Sequence, residues 1–240
     1  MKKKPPKYRR VLLKLSGEIL MGEQPFGISS RVMNFLSMEL EKTRDLGVEL
    51  AIVVGGGNFF RGASESAGGI GRAAADNMGM LATAMNALAL QGYLNQRGIS
   101  TRVQSAIPLQ GIAETFDRLQ AIQHLEKGQM VVFAGGTGHP FFTTDTAASL
   151  RALEIEAQVI LKGTRVDGVY DTDPEKSPNA RKFSTLSGRE ALERRLRFMD
   201  ATAISLCMEH GLPIVVFNVK RKGSLRRVVI GESVGTIVEG

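Results

Sequence analysis

Glu49-Leu50-Ala51-Ile52-Val53-Val54-Gly55-Gly56-Gly57-Asn58 is the stretch on which the fold turns. From Leu50 to Val54 it is apolar without interruption. A run of this kind, lacking the alternation of a half-solvated strand, reads as a strand buried on both faces of a parallel sheet. Three glycines then stop it at once. Consecutive glycines weaken any regular element they interrupt, so a mere connector explains them poorly. A backbone cradle for a negatively charged group explains them better, because glycine lets N–H groups approach an anion closely. Arg61, followed by Gly62, is placed to bind oxygens of the same group bidentately.

The same strand-then-helix alternation extends in both directions. Upstream, residues 11–15 form a short apolar run ending at Ser16-Gly17. A helix follows over about 29–46, with Val32, Phe35, Leu36 and Leu40 on one face and Gly47 as its stop. Downstream, a long helix is predicted over 73–96, with Met78, Leu81, Met85 and Leu88 at helical spacing. Its small residues suit either core packing or a subunit contact. Residues 101–104, 130–134, 159–161 and 214–217 read as strands, and 116–126, 144–153, 188–196 and 201–210 as helices. Residues 166–170, around Asp167-Gly168, suggest a hairpin turn, and segments 224–229 and 235–238 finish the chain. The pattern predicts an α/β fold: a three-layer αβα sandwich with a mostly parallel central sheet, covered on both faces. Ligands of such sheets bind beyond the carboxyl ends of the strands, where several strands here meet glycine-rich turns.

Composition sets the bounds. The 240 residues fit one large domain, which buries enough surface to need no disulfide or structural metal. Six of the basic residues lie among the first ten with no acid beside them, and without them 25 basic residues face 24 acidic ones. The net charge of +7 is therefore local. It implies a mobile, Pro-broken basic tail over residues 1–8 and a single domain over 9–240, and nucleic-acid binding is not expected. No run is long and apolar enough to span a membrane, and no signal-peptide stretch is present. Cys207, the only cysteine, sits on an apolar helix face and reads as a core thiol. Together these features suggest the cytoplasm.

Four motifs carry the chemistry. Lys14-Leu15-Ser16-Gly17-Glu18 ends the first strand, as a phosphate nest with a lysine beside it or as an ordinary turn. Gly55-Gly56-Gly57-Asn58 is the second. Gly135-Gly136-Thr137-Gly138-His139-Pro140-Phe141-Phe142-Thr143-Thr144-Asp145 leads into a helix N-terminus. Free N–H groups and the helix dipole favour phosphate there, although Thr143 or Thr144 could simply cap the helix. Lys162-Gly163-Thr164 begins the fourth, which runs through Tyr170, a candidate to stack on adenine, to Asp173-Pro174. Its alternative is a hairpin with an acidic turn. The three histidines lack metal-ligand spacing. No Gly-x-x-x-x-Gly-Lys-Ser/Thr occurs, which excludes the P-loop route to phosphoryl transfer, and no Gly-x-Ser-x-Gly elbow or complete Gly-x-Gly-x-x-Gly unit stands at a strand end.

Taken together these motifs resemble the amino acid kinase superfamily over nearly the whole chain, and within it the bacterial-type UMP kinases. The resemblance rests on the four motifs, on Phe60-Arg61-Gly62, on Asp76-x-Met78-Gly79-Met80-Leu81 and on Ser105-Ala106-Ile107-Pro108-Leu109. It implies transfer of a phosphoryl group from ATP to UMP, in pyrimidine nucleotide synthesis. Lys14, Leu15, Ser16, Gly17, Gly57, Arg61, Thr164, Tyr170 and Asp173 would bind ATP. Gly56, Asp76 and the run Thr137, Gly138, His139, Pro140, Phe141, Phe142, Thr143, Thr144 would bind UMP, with Asp76 accepting from a ribose hydroxyl. Lys14, Arg61 and Lys162 would act on the phosphoryl group, with Asp145 and Asp200 orienting them. Mg2+ would be carried by ATP phosphates and water. The resemblance further implies a homohexamer, with GTP as activator and UTP as inhibitor. Arg102 matches a position associated with GTP, whereas Gln91 and Asn95 stand where some members carry basic residues. His139 replaces an Asn common in that loop.

Overall fold

Alternate residues of the central strands feed two separate cores. In the computed structural model, which describes residues 5–60 and 69–240, strand β1 (Arg10–Leu15) sends Val11, Leu13 and Leu15 to one side and Leu12 to the other. Strand β2 (Glu49–Val54) does the same, with Leu50, Ile52 and Val54 opposed to Ala51 and Val53. The period of two in a strand turns an unbroken apolar run into two buried faces. Each buried Leu, Ile or Val contributes about 1.5–3 kcal/mol.

The remaining strands are β3 (Thr101–Ser105), β4 (Glu114–Thr115), β5 (Met130–Ala134), β6 (Ile160–Thr164), β7 (Thr185–Ser187), β8 (Ile214–Asn218) and β9 (Thr236–Glu239). They form one sheet in the order β4-β3-β5-β2-β1-β6-β8-β9-β7. All described pairings are parallel except β8 with β9. The helices are α1 (Gly17–Met21), α2 (Ser30–Arg44), α3 (Arg72–Gln96), α4 (Arg118–Glu126), α5 (Thr144–Glu154), α6 (Gly188–Glu193), α7 (Ala201–Glu209) and α8 (Ser224–Val229). Residues of α2, α3 and α8 join the first core, and residues of α4, α5, α6 and α7 join the second. This is the expected three-layer sandwich. With β2 on one side of β1 and β6 on the other, the carboxyl ends of these central strands open on a crevice.

Several elements depart from the sequence reading. The strand expected to stop at residue 161 continues to Thr164, because β1 and β8 pair with it on both sides. Gly163 fits there since a Cβ would meet Leu15 Cδ2 at 2.8 Å. Asp167-Gly168 is not a hairpin turn. Gly168 packs where a Cβ would lie 2.6 Å from Thr236 Oγ1. The antiparallel contacts instead join Val169 to Phe183 and Asp171 to Arg181, around a Tyr170–Lys182 bridge. On α3, Ala75, Ala82, Ala87, Leu90 and Leu94 are buried, whereas Met78, Leu81 and Met85 are exposed. In the basic segment the chain is already held at Lys7, whose N–H donates to Val229 O at 2.9 Å. Residues 1–4 lie outside the described residues. Cys207 is buried beside Ser149 Oγ at 3.3 Å, and burial pushes its thiol up.

Candidate active site

Lys14 of β1 and Lys162 of β6 are direct register partners on neighbouring parallel strands. They share a face with Leu12 and Ile160, on the side of the sheet that α5 covers. Both are nearly enclosed, at 6 % and 8 % exposure. Two ammonium groups at strand spacing need an anion, and Asp145 in the first turn of α5 supplies it. Its Oδ1 lies 2.6 Å from Lys14 Nζ and its Oδ2 lies 2.7 Å from Lys162 Nζ. The Lys162 contact is an aligned hydrogen bond. At Oδ1 the lysine is an ion-pair partner off the hydrogen-bond direction, and that oxygen has no other partner among the described residues. Burial drives the Asp145 carboxyl towards its neutral form, but Lys14 and Lys162 outweigh it and hold the group below its ordinary value. Burial, aided by repulsion from Lys14, pulls the Lys162 ammonium down to about 8 against the opposing attraction of Asp145.

The helix bearing Asp145 is fixed by its own start. Thr143 is its N-cap, and the hydroxyl accepts from Asp145 N at 2.9 Å and Thr146 N at 3.4 Å. Asp200 then ties two helix starts together. Its Oδ1 caps α7 through Ala203 N (2.8 Å), while Thr143 and Thr146 hydroxyls donate to the same carboxylate. Asp200 therefore stands behind Asp145, holding the residues on either side of it.

The glycine-rich turns come together above this cluster. Gly17 can exist only as glycine here: a Cβ would lie 2.5 Å from Asn58 Oδ1 and 2.7 Å from Gly57 N. Gly56 likewise abuts α3, where a Cβ would meet Gly79 O at 2.7 Å. Asp76 of α3 receives Arg72 Nε on both oxygens (3.0 and 2.8 Å) and the Phe141 N–H at 2.8 Å. Phe141 adopts a left-handed φ of 73°, sparsely populated by non-glycine residues, so this bond holds a strained loop in place.

Two cavities gather the expected site residues. One, of about 640 Å3, is lined by Lys14, Ser16, Lys162, Thr164, Tyr170 and Asp173, and so gathers most of the residues expected to bind ATP. The other, of about 190 Å3, is lined by Gly56, Asp76, Thr137, His139, Phe142, Thr143 and Thr144, from the group expected to bind UMP. A cavity made basic by the lysine pair and a second one built against glycine turns suit the binding of anions.

The sequence pattern of the amino acid kinase family matches residues 9–218. The chain belongs to the amino acid kinase family. Three solved structures resemble this chain along almost its whole length. The UMP kinase from Bacillus anthracis is 38 % identical with a TM-score of 0.93, covering 97 % of this chain and 96 % of that one. The UMP kinase from Ureaplasma parvum is 37 % identical with a TM-score of 0.91, covering 98 % and 100 %. The uridylate kinase from Archaeoglobus fulgidus is 26 % identical with a TM-score of 0.74, covering 95 % and 99 %.

Other expected site residues of this kinase lie differently. Leu15 has a fully buried side chain in the first core, so only its backbone can face a ligand. Gly138 and Pro140 belong to the acceptor loop without lining its cavity, and the Phe141 ring is exposed. Arg61 lies outside the described residues. Arg102 is remote from the cleft, on β3 near the sheet edge, 3.7 Å from Glu114. Beside it Gln91 donates to Thr101 O and Asn95 accepts from Thr101 N, so both side chains tie α3 to β3.

Two supporting residues escaped the sequence reading. Asn86 and Asn58 exchange amide hydrogen bonds at 2.7 and 2.9 Å, and Asn86 also donates to Gly55 O at 2.7 Å. Thr83 Oγ1 accepts from Gly135 N at 2.8 Å. Together they fasten two glycine turns to α3. A polar residue inside an Ala- and Met-rich helix was the one available signal.

Proposed function

We propose that this kinase transfers the γ-phosphoryl group of ATP to UMP, giving ADP and UDP. The observation that carries the reading is the lysine pair, bridged by Asp145 and lining a cavity of about 640 Å3. The similarity to UMP kinases over nearly the full chain supports the choice of acceptor. In the transfer, a UMP phosphate oxygen forms a bond to the γ-phosphorus while the bond to the ADP oxygen breaks, its electron pair leaving with ADP. The attacking oxygen is already anionic, so no general base is required. The catalytic demand is alignment and neutralisation of charge in flight.

Lys14 and Lys162 neutralise the transferring group from one side, and Asp145 fixes their spacing. Asp200 holds the start of α5, and with it Asp145. Backbone N–H groups at Ser16, Gly17 and Gly57 cradle ATP phosphates, Arg61 contributes a further positive charge, and Tyr170 and Asp173 bound the nucleoside. Asp76 and the loop over residues 137–144 hold UMP. A Mg2+ ion held by ATP phosphates and water would supply further charge neutralisation.

The exposed Met78, Leu81 and Met85 of α3 offer an apolar strip for contact between copies of the chain, in keeping with a hexamer. The face around Arg102 is where GTP would act. No helix among the described residues is long and apolar enough to cross a membrane, which accords with a cytoplasmic enzyme of pyrimidine synthesis. The test is ADP release from Mg·ATP with UMP, CMP, dUMP, glutamate and carbamate as separate acceptors. Strong turnover with UMP alone is expected. Turnover confined to another acceptor would keep the phosphoryl chemistry and overturn the acceptor assignment.

A further inference from the structure

Helices α3 to α8 all end in the same hydrogen-bonded turn. The residue after the cap has a left-handed φ, and its N–H bonds three residues back, while the next N–H bonds five residues back. Glycine is the usual residue at that left-handed position because it has no Cβ to clash. Four of the six helices obey: Gly98, Gly128, Gly211 and Gly231 occupy it in α3, α4, α7 and α8. Two do not. Glu156, after α5, has φ 59° and uses its side chain, which accepts from Arg118 Nη2 at 2.6 Å. Arg195, after α6, has φ 52° with Arg195 N bonded to Leu192 O and Leu196 N to Ala191 O, both at 3.0 Å. Its guanidinium has no hydrogen-bond or ion-pair partner among the described residues. A side chain kept where glycine is favoured, and bonded to nothing in the protein, points to a ligand.

Arg197, two residues on, is equally unpartnered among the described residues. Both arginines line the large cavity together with Lys14 and Lys162, and both line a cavity of about 510 Å3 together with Asp145 and Lys162. Neither lines the acceptor cavity. Arg194 differs, being bound to Glu190 at 2.8 Å and lying against the Phe183 ring. The pairing of the other charges points the same way. Asp145 bridges the two lysines, and Arg165, Lys176 and Arg194, which also line the cavity, are paired with Glu175, Asp173 and Glu190.

We propose that Arg195 and Arg197 form a clamp on the terminal phosphates of the donor nucleoside triphosphate, in the cavity they share with the lysine pair. This rests on the phosphoryl-transfer reading above and adds a second pair of cations to it. Guanidinium groups suit this task because they bind phosphate oxygens bidentately.

Calorimetric binding of Mg·β,γ-imido-ATP and of AMP, without acceptor, tests the clamp in native protein and in Arg195→Gly and Arg197→Gln, alongside thermal melting. Arg195→Gly suits the left-handed position, so its Tm should equal or exceed the native value. Each variant should bind the imido-ATP about fivefold more weakly or worse, since a charge-assisted bidentate contact is lost, with AMP affinity unchanged. Native binding of the triphosphate with unaltered affinity in both variants would overturn the clamp alone. So would an equal loss for AMP and imido-ATP, which would mark a structural role. A native protein that binds no triphosphate would overturn the clamp together with the reading beneath it.

Discussion

Replacing Asp145 by asparagine keeps the side chain's shape and removes the anion shared by Lys14 and Lys162. At 2.6 and 2.7 Å, each contact is worth about 6 kcal/mol of gross attraction at an effective dielectric of about 20. Desolvation of three nearly enclosed groups offsets most of that, so the net loss on breaking the cluster should be about 3–5 kcal/mol. The loss should depend on pH, and its sign follows from the Asp145 carboxyl and Lys162. A carboxyl held below its ordinary value contributes stability that is present above that value and disappears as pH falls through the folded one. Native Lys162, pulled from 10.5 to about 8, favours its neutral form, so stability rises with pH between those two values. Without Asp145 the attraction that raises Lys162 is gone, and its window of rising stability opens at lower pH. The variant therefore gains more than the native protein between about pH 7 and about pH 9, and the gap between them should narrow by about 1 kcal/mol. Urea unfolding of both proteins at the two pH values measures this directly. A loss under about 1 kcal/mol near neutrality, or a loss as large at the higher pH, would refute the shared-anion account.

Three further outcomes are expected. Lys14→Ala should lower kcat at least ~100-fold in steady-state ADP release, because a charge needed in the transition state is removed; near-native turnover would end its proposed role. Asp76→Asn should raise KM for UMP with a much smaller change in kcat, and an unaltered KM would remove Asp76 from the acceptor site. Asn86→Leu should destabilise the fold by about 1–3 kcal/mol in urea titration, since Gly55 O and the Asn58 amide each lose a buried partner. A variant as stable as the native protein would show that the glycine turn is held by other means.

What the sequence disclosed depended on how local each signal was. The unbroken run at 50–54 announced a doubly buried strand, and the glycines beyond it announced close backbone approach, because both signals lie in contiguous residues. Lys14 and Lys162 were each visible as lysines at strands with anionic business. Their direct pairing was not, since it follows from β1 and β6 being neighbours although far apart in the chain. Asp145 and Asp200 entered through the family resemblance rather than through any property of their own surroundings in the sequence. Asn86 and Thr83 look like ordinary polar helix residues until the 50s and 130s turns are brought against α3. The elements missed outright, α1, β4 and β7, span five, two and three residues. None is long enough to show a helical or strand period. Asp167-Gly168 misled for the opposite reason: a strong turn signature arose from tight packing against Thr236.

The rung that joins Lys14 to Lys162 also separates two kinds of change the molecule can undergo. Their spacing belongs to a hydrogen-bonded ladder, so it cannot drift by small loop adjustments; altering it means slipping a whole central strand and turning its apolar residues to the wrong core. The loop at 137–142, proposed to hold UMP, and the start of α3 carry no such restriction. Exchanging those segments for others of equal length should retune which small anion is accepted while the phosphoryl-handling centre stays intact. The scaffold thus resembles a tool with a fixed jaw and a replaceable one.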